Sequence, residues 1–372
     1  MLRHVTATGI PSPVVVVLAA GHGTRMNSLL PKVLHPICGR PMVAWPARAA
    51  LDAGAHRVVV VGGPDRALAP HLPERTALAV QAEARGTGDA VSCAAAHIDP
   101  ARPVVVLPGD VPLITAETIE RLVEAHAASR AAATMLTMRL EDPTGYGRVV
   151  RDERGKVVRV AETKQPGDAT LSELVIREVD TGVLCFDGAA LLDVLGNLEA
   201  ELHLPDTLPR LRAAGRRVGA YQASDPTICL GVDDQAGLAD VRAIAQRRIA
   251  ERHLRAGVTI VDPARTVIDV DVRIGAGTVI EPGCQLEGRT AIGAACHIGP
   301  HVTMRDSELG DGASILHSVA IGATVAAGAT VGPFADLRPA RSWPPTARRP
   351  SPARSARTST ATRTARLPAA AA

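Results

Sequence analysis

The chain has 372 residues, of which 46% are hydrophobic, so it is long enough for about two domains and has ample apolar material for a core. Its formal net charge is +3, but seven arginines and no acidic residue lie in residues 340–372, so the rest of the chain is net negative and the charge pattern does not imply nucleic acid as a partner. The six cysteines lack metal-ligand spacing and no apolar run is long enough for a membrane span, so we expect free thiols, a cytoplasmic protein without an export signal, and no membrane partner.

Residues 1–232 alternate short β-branched runs with Ala- and Leu-rich stretches of helical length. The predicted strands are residues 14–18, 57–61, 104–107, 157–160 and 182–186. This alternation predicts an α/β domain with a mostly parallel, Rossmann-like sheet. Turn residues follow two of these strands, at 62–65 and 108–110, and the carboxyl ends of strands are where open α/β sheets bind ligands.

The loop after the first strand carries two glycines and nearby positive charge. Gly21 and Gly23 would let backbone N–H groups turn toward phosphate oxygens, while Arg25 and Lys32 would neutralise a triphosphate and its departing pyrophosphate. The spacing matches neither the P-loop nor the complete dinucleotide-binding pattern. The alternative interpretation is a tight strand-to-helix turn with solvated charges.

Asp110 follows the apolar run at 104–107 and is a candidate metal ligand. Mg²⁺ prefers one or two carboxylates together with phosphate oxygens, and a carboxylate at the end of a strand facing a phosphate loop suits that role. The alternative is that Asp110 caps the helix predicted to start near Thr115.

The last third of the chain has a different pattern. Residues 233–256 are a charged, Ala-rich segment that predicts a connecting helix. Residues 257–339 predict a truncated left-handed parallel β-helix, because aliphatic side chains recur at every sixth position and then less regularly. These residues are Ile268, Ile274, Ile280, Leu286, Ile292, Ile298 and Met304, followed by Leu309, Ile315 and Ile321. Residues 340–372, almost wholly Ala, Pro, Arg, Ser and Thr, predict a disordered tail.

Taken together, these motifs resemble the bacterial family of bifunctional N-acetylglucosamine-1-phosphate uridyltransferases and glucosamine-1-phosphate acetyltransferases. The resemblance runs in collinear order from about residue 14 to residue 339, and its carriers are LAAGHGTRM (18–26), LPKVLH (30–35), QAEARGTG (81–88), GDVP (109–112), TGYGR (144–148), Glu162, DTG (180–182), HLPD (203–206), GVDD (231–234) and the six-residue repeat. It implies Mg²⁺-dependent, in-line attack of the sugar phosphate oxygen on the α-phosphorus of UTP. The products would be pyrophosphate and UDP-N-acetylglucosamine, a precursor for peptidoglycan and the cell wall.

The resemblance also implies roles for individual residues. Arg25 and Lys32 would stabilise the leaving group, and Asp110 and Asp233 would hold Mg²⁺. The nucleotide would contact Leu18, Ala19, Ala20, Gly21, Gly23, Lys32, Gln81, Gly86 and Thr87, and the sugar 1-phosphate would contact Gly147, Glu162 and Asp180. Gln81 and the turn at 86–87 would hydrogen-bond the uracil edge, because an amide can both donate and accept.

Three residues depart from the family pattern, which usually has Asn at 180 and 233 and His at 89. A carboxylate at Asp233 can still bind Mg²⁺, but one at Asp180 would repel a phosphate dianion, and the sequence does not decide what the change at Asp89 does. Two alternatives therefore stay open: a nucleotidyltransferase for another hexose 1-phosphate or for dTTP, and a catalytically degenerate structural remnant.

The largest departure from the family lies beyond residue 339. The histidine base, tyrosine, asparagines and acetyl-coenzyme A site that acetyl transfer requires in the family are missing or replaced there, so we expect no acetyltransferase activity. Shortening the β-helix would also expose an open end, which works against the homotrimer that the resemblance implies.

Overall fold

The structure is a computed structural model that describes residues 9–21, 23–163, 165, 167–196 and 203–339. The tail predicted for residues 340–372 lies outside the described residues. The described chain forms a Rossmann-like sheet domain, a long helix and a column of stacked short strands.

The amino-terminal domain is built on a nine-stranded sheet whose main path has the order β11-β7-β10-β6-β1-β4-β5, with β8 and β9 attached at β10. The strands of this domain, including a separate hairpin of β2 and β3, are β1 (Val14–Leu18), β2 (Pro36–Ile37), β3 (Arg40–Pro41), β4 (Arg57–Gly62), β5 (Thr76–Val80), β6 (Pro103–Pro108), β7 (Ala133–Arg139), β8 (Arg148–Arg151), β9 (Val157–Ala161), β10 (Glu178–Asp187) and β11 (Val218–Gln222). All five strands predicted from the sequence are confirmed. Strand β10 runs antiparallel to β6 and β7, whereas β1, β4, β5 and β6 are parallel.

Helices cover both faces of this sheet. They are α1 (Ala44–Asp52), α2 (Thr87–Cys93), α3 (Ala116–Ser129), α4 (Leu171–Leu174), α5 (Gly188–Gly196) and α6 (Thr207–Ala213). Val15 and Val17 of β1 pack in one apolar cluster with α1 and α3, while Val14 and Val16 pack in the other with α2, α5 and α6. Burial of both faces explains why β1 is an unbroken run of valines, and parallel pairing brings the carboxyl ends of β1, β4 and β6 to one edge.

The connecting helix is α7 (Gln235–Arg255). Asp234 caps it, since its side chain accepts a hydrogen bond from the Gly237 N–H at 2.8 Å. The helix therefore begins two residues later than the predicted segment, and Asp233 lies outside it.

After α7 the chain forms a parallel β-helix, which confirms the architecture predicted from the six-residue repeat. Its strands are β12 (Thr259–Ile260), β13 (Val267–Ile268), β14 (Arg273–Ile274), β15 (Val279–Ile280), β16 (Gln285–Glu287), β17 (Ala291–Ile292), β18 (His297–Ile298), β19 (Thr303–Arg305), β20 (Glu308–Leu309), β21 (Ser314–Ile315), β22 (Val319–Ile321), β23 (Thr324–Val325), β24 (Thr330–Val331) and β25 (Asp336–Leu337). They stack in three sheets, and Ile268 pairs with Leu286, so one coil here takes 18 residues. The left-handed sense of the coil stays a prediction.

The later coils are shorter, and one residue predicted to point inward does not. Met304 pairs with Ala320, which is 0% exposed, whereas Ile321 takes the register of the outward Arg305 and is only half-buried. The prediction for Ile321 is wrong because the step from the inward Ile315 to the next inward residue is five residues and not six, which places Ala320 inside.

The β-helix contacts the sheet domain at the β2–β3 hairpin. The Val270 N–H donates to the Cys38 carbonyl at 3.0 Å, and Arg40 forms an ion pair with Asp271 at 2.6 Å. All six cysteines are free, as predicted. Among the described residues, no helix combines the length and the apolar character that a membrane crossing requires.

Candidate active site

A cavity of about 540 Å³ lies at the carboxyl ends of β1 and β6. It gathers nearly all of the site residues implied from the sequence, namely Leu18, Ala19, Ala20, Gly21, Gly23, Arg25, Lys32, Gln81, Gly86, Thr87, Asp110, Glu162, Asp180 and Asp233. A second cavity of about 410 Å³ adjoins it and shares Gly21 and Gln81. The open space therefore extends along the loop that follows β1.

Gly147 is the one implied site residue that does not line the larger cavity. Its carbonyl accepts a hydrogen bond from the Asp180 N–H at 2.9 Å. A Cβ atom at Gly147 would lie 2.6 Å from Cγ1 of Val160, so only glycine fits between these strands. Gly147 thus contacts the backbone of Asp180 without lining the cavity.

The floor of the cavity holds four alternating charges. The Lys32 ammonium lies 2.5 Å from Oδ2 of Asp110 and 3.4 Å from Oδ1 of Asp233. Arg25 contacts the same Asp233 oxygen at 2.8 Å. The Lys32 side chain is only 12% exposed, whereas that of Arg25 is 71% exposed, so Lys32 is the fixed cation and Arg25 the accessible one.

Two glycines allow the loops of the site to approach this closely. Gly23 has a φ of +60°, and a Cβ there would lie 2.3 Å from Cβ of Lys32. A Cβ at Gly109 would lie 2.8 Å from the carbonyl oxygen of Leu18. Any side chain at either position would displace Lys32 or the end of β1.

Asp110 and Asp233 are brought together by the backbone. The Val232 N–H donates to the Asp110 carbonyl at 2.9 Å, which sets the next residue, Asp233, beside the Asp110 side chain. Helix α3 is capped by Thr115, whose side-chain oxygen accepts from the Thr118 N–H at 3.2 Å. The alternative that Asp110 caps this helix is therefore wrong.

The Asp110 and Asp233 carboxylates are suited to a magnesium ion that also binds substrate. Both accept from one Lys32 nitrogen, so they are close enough to flank a single cation. No group of three or more His, Cys, Asp or Glu side chains able to hold a metal occurs in the described part of the chain. Two carboxylates plus phosphate oxygens is the usual ligand set of Mg²⁺ at nucleotide sites.

Gln81 lies at the junction of the two cavities and is 4% exposed. Its amide nitrogen donates to Oδ2 of Asp89 at 2.8 Å and to the Gly86 carbonyl at 3.1 Å. The other oxygen of Asp89 accepts from Arg85 at 3.2 Å. Sequence reasoning recorded Asp89 as a departure from the family pattern but did not anticipate its contact with Gln81.

The lining of the larger cavity also includes residues that were not assigned to the site from the sequence. His203 and Pro205 line the cavity, and their only signal was the HLPD motif. The Leu204 N–H donates to the Thr87 hydroxyl oxygen at 2.7 Å, which ties this motif to the start of α2. Asp180 accepts from the Gly182 N–H at 3.0 Å through one carboxylate oxygen.

Tyr146 joins two of the motifs beside the charged cluster. Burial raises the pKa of its hydroxyl, a hydrogen bond with the Gly231 backbone opposes that shift, and the negative charges of Asp233 and Asp110 add to it. With its pKa raised, the Tyr146 hydroxyl stays protonated at neutral pH and contacts the Gly231 backbone beside the charged cluster.

Both parts of the chain match known proteins in sequence. Residues 15–177 match the family described as MobA-like NTP transferase domain, and residues 271–306 match the bacterial transferase hexapeptide family. The protein named bifunctional protein GlmU of Mycolicibacterium gilvum is 45% identical over 319 residues, which cover 82% of this chain and 64% of that protein. The GlmU protein of Halalkalibacterium halodurans is 43% identical over 82% of this chain and 68% of its own length. The chain thus spans about two thirds of the length of these curated relatives.

Proposed function

The chain belongs to the bifunctional GlmU family, and from this premise we propose that its sheet domain is a Mg²⁺-dependent nucleotidyltransferase. The proposed reaction joins UTP and N-acetylglucosamine 1-phosphate, giving UDP-N-acetylglucosamine and pyrophosphate. The observation that carries the proposal is the cluster of Arg25, Lys32, Asp110 and Asp233 at the carboxyl edge of the sheet. Such a cluster offers two carboxylates for a cation and two positive groups for phosphates in one cavity.

The residues of the cluster would have separate roles in nucleotidyl transfer. Mg²⁺ held by Asp110 and Asp233 would neutralise phosphate charge as it builds up in the transition state. With those carboxylates so engaged, Lys32 and Arg25 become free to bind the departing pyrophosphate. The cavity needs no covalent nucleophile, since the sugar phosphate oxygen is the attacking group.

The proposal extends to the acceptor and to the setting of the reaction. Glu162 and Asp180 line the cavity and would accept hydrogen bonds from sugar hydroxyls, and the Gly147 carbonyl accepts from the Asp180 N–H. We place the reaction in the cytoplasm, as a supply of precursor for peptidoglycan. The absence of acetyl transfer and the doubtful homotrimer stay predictions.

A second candidate function is supported by Asp180. This carboxylate lines the cavity where the family pattern has an amide, so a different hexose 1-phosphate, or dTTP as donor, is the competing substrate assignment. The catalytically degenerate remnant is the other alternative.

Pyrophosphate release by the purified chain tests these assignments. The assay pairs UTP or dTTP with N-acetylglucosamine 1-phosphate or glucose 1-phosphate in the presence of Mg²⁺. We expect release to depend on UTP and N-acetylglucosamine 1-phosphate. Release with another pair would favour the second candidate, and no release by a folded chain with any pair would favour the remnant. Acetyl-coenzyme A with glucosamine 1-phosphate, in a parallel assay, tests the predicted absence of acetyl transfer.

A further inference from the structure

We propose that Asp89 is a positioning residue that sets the base specificity of the nucleotide site. It acts by holding the Gln81 amide so that the carbonyl oxygen, and not the amide nitrogen, is offered to the base. The inference rests on the proposed function for the class of ligand, a nucleoside triphosphate. It concerns a residue to which neither the family resemblance nor the relatives give a role.

The hydrogen-bond partners of Gln81 determine which way its amide faces. The amide nitrogen has two hydrogens, and they are taken by the Asp89 carboxylate at 2.8 Å and by the Gly86 carbonyl at 3.1 Å. A flipped amide would place its oxygen against two acceptors that cannot donate to it. Because Gln81 is 4% exposed, water cannot readily compensate for that loss, so the flipped orientation is strongly disfavoured.

Asp89 is itself held in position. One of its oxygens accepts from Gln81, and the other accepts from the Arg85 guanidinium at 3.2 Å. Arg85 lies in the loop between Gln81 and α2, four residues before Asp89. The ion pair therefore links this loop to the first turn of α2. The chain Arg85–Asp89–Gln81 therefore transmits a fixed orientation to the amide.

The fixed amide favours one type of base edge. Its carbonyl oxygen complements the N3–H donor of uracil or thymine, whereas N3 of cytosine is an acceptor and would face it without a hydrogen. A site that buries such a mismatched pair rejects the wrong ligand strongly. The sequence predicted that the Gln81 amide both donates a hydrogen bond to the base and accepts one from it. The proposed arrangement leaves it only as an acceptor, and the site therefore discriminates UTP from CTP.

The test is the ratio of CTP to UTP dissociation constants, measured by calorimetry on the full chain with Mg²⁺. Asp89→Asn keeps the shape of the side chain but can also donate to Gln81, so only the Gly86 carbonyl still opposes the flip and the preference for one amide orientation is weakened. We expect the wild type to bind UTP at least about tenfold more tightly than CTP, and Asp89→Asn to lose about a factor of ten from that ratio. The matched control is Glu74→Gln, which removes a negative charge from an exposed side chain that lines neither cavity and leaves the ratio unchanged.

Two further measurements keep the result decisive. Asp89→Glu retains a carboxylate and is expected to retain most of the ratio, and wild-type protein should bind N3-methyl-UTP about as weakly as CTP. Equal UTP and CTP affinity in the wild type, or an unchanged ratio in folded Asp89→Asn, would overturn the inference. Because binding is the readout, absence of turnover with intact discrimination would count against the proposed function alone.

Discussion

Replacing Lys32 by Met is the perturbation that most directly tests the charged cluster. Methionine keeps the unbranched stem that packs on Gly23 but removes the ammonium group. The change breaks the 2.5 Å contact with Asp110 and the 3.4 Å contact with Asp233, and leaves two carboxylates facing each other. Both the unfolding free energy and kcat should therefore decrease, by different amounts.

The size of each effect can be worked from the geometry. The side chains of Lys32 and Asp110 are 12% and 28% exposed, so solvent screens their pair only in part, and we expect a loss of about 1–3 kcal/mol in unfolding free energy without Mg²⁺. If Lys32 also stabilises the departing pyrophosphate, kcat should fall by a factor of about 10² to 10³. Mg²⁺ should raise the Tm of the variant more than that of the wild type, because a cation replaces the lost ammonium between the carboxylates.

The assays are pyrophosphate release for kcat, and chemical and thermal unfolding with and without Mg²⁺ for stability. Lys156→Met is the matched control, since Lys156 is exposed and lines neither cavity, and it should match the wild type in both assays. A folded Lys32→Met protein with a kcat within about threefold of the wild type would refute the role given to Lys32.

Three other outcomes follow from particular contacts. Asp180→Asn removes one negative charge from the cavity wall and should lower the KM for the sugar 1-phosphate by about tenfold, since one charge repulsion at partial exposure is worth on the order of 1 kcal/mol or more; a raised KM would contradict this. Gly109→Ala places a methyl group 2.8 Å from the Leu18 carbonyl oxygen and should cost about 1–3 kcal/mol in denaturant unfolding. Burial lowers the pKa of His126, which lies 3.0 Å from the Thr134 hydroxyl, so the unfolded state binds more protons below about pH 6.5. The unfolding free energy should therefore fall from pH 7 to pH 5, and His126→Gln should flatten that slope; an identical slope in the variant would exclude His126 as its source.

Local pattern was sufficient to predict the two architectures. The unbroken valines of β1 indicate a strand buried on both faces, and the six-residue spacing from Ile268 to Met304 indicates which side chains point into the β-helix. The register failed at Ile321, because the number of residues in a coil depends on how its corners pack and not on the aliphatic spacing alone.

The candidate site was likewise predicted from the sequence only in part. Glycines, basic residues and strand-end carboxylates could be identified as candidates from their residue types and positions. Whether Asp110 faced Lys32 or capped α3 could not be decided, since both arrangements satisfy the local sequence. The structure decided it by bringing together Lys32 and Asp110, which are 78 positions apart, while Thr115 caps α3.

The sequence by itself determined the two architectures, five strands of the sheet domain, the connecting helix and the chemical groups present at the strand ends. Only the tertiary structure decided the partners: Asp233 beside Lys32, Asp89 on the Gln81 amide, and Ala320 in the core in place of Ile321. The physical reason is that the periodicity of buried side chains depends on residues close together in the sequence. A hydrogen bond or ion pair depends instead on the positions of atoms that only the completed fold brings within about 3 Å.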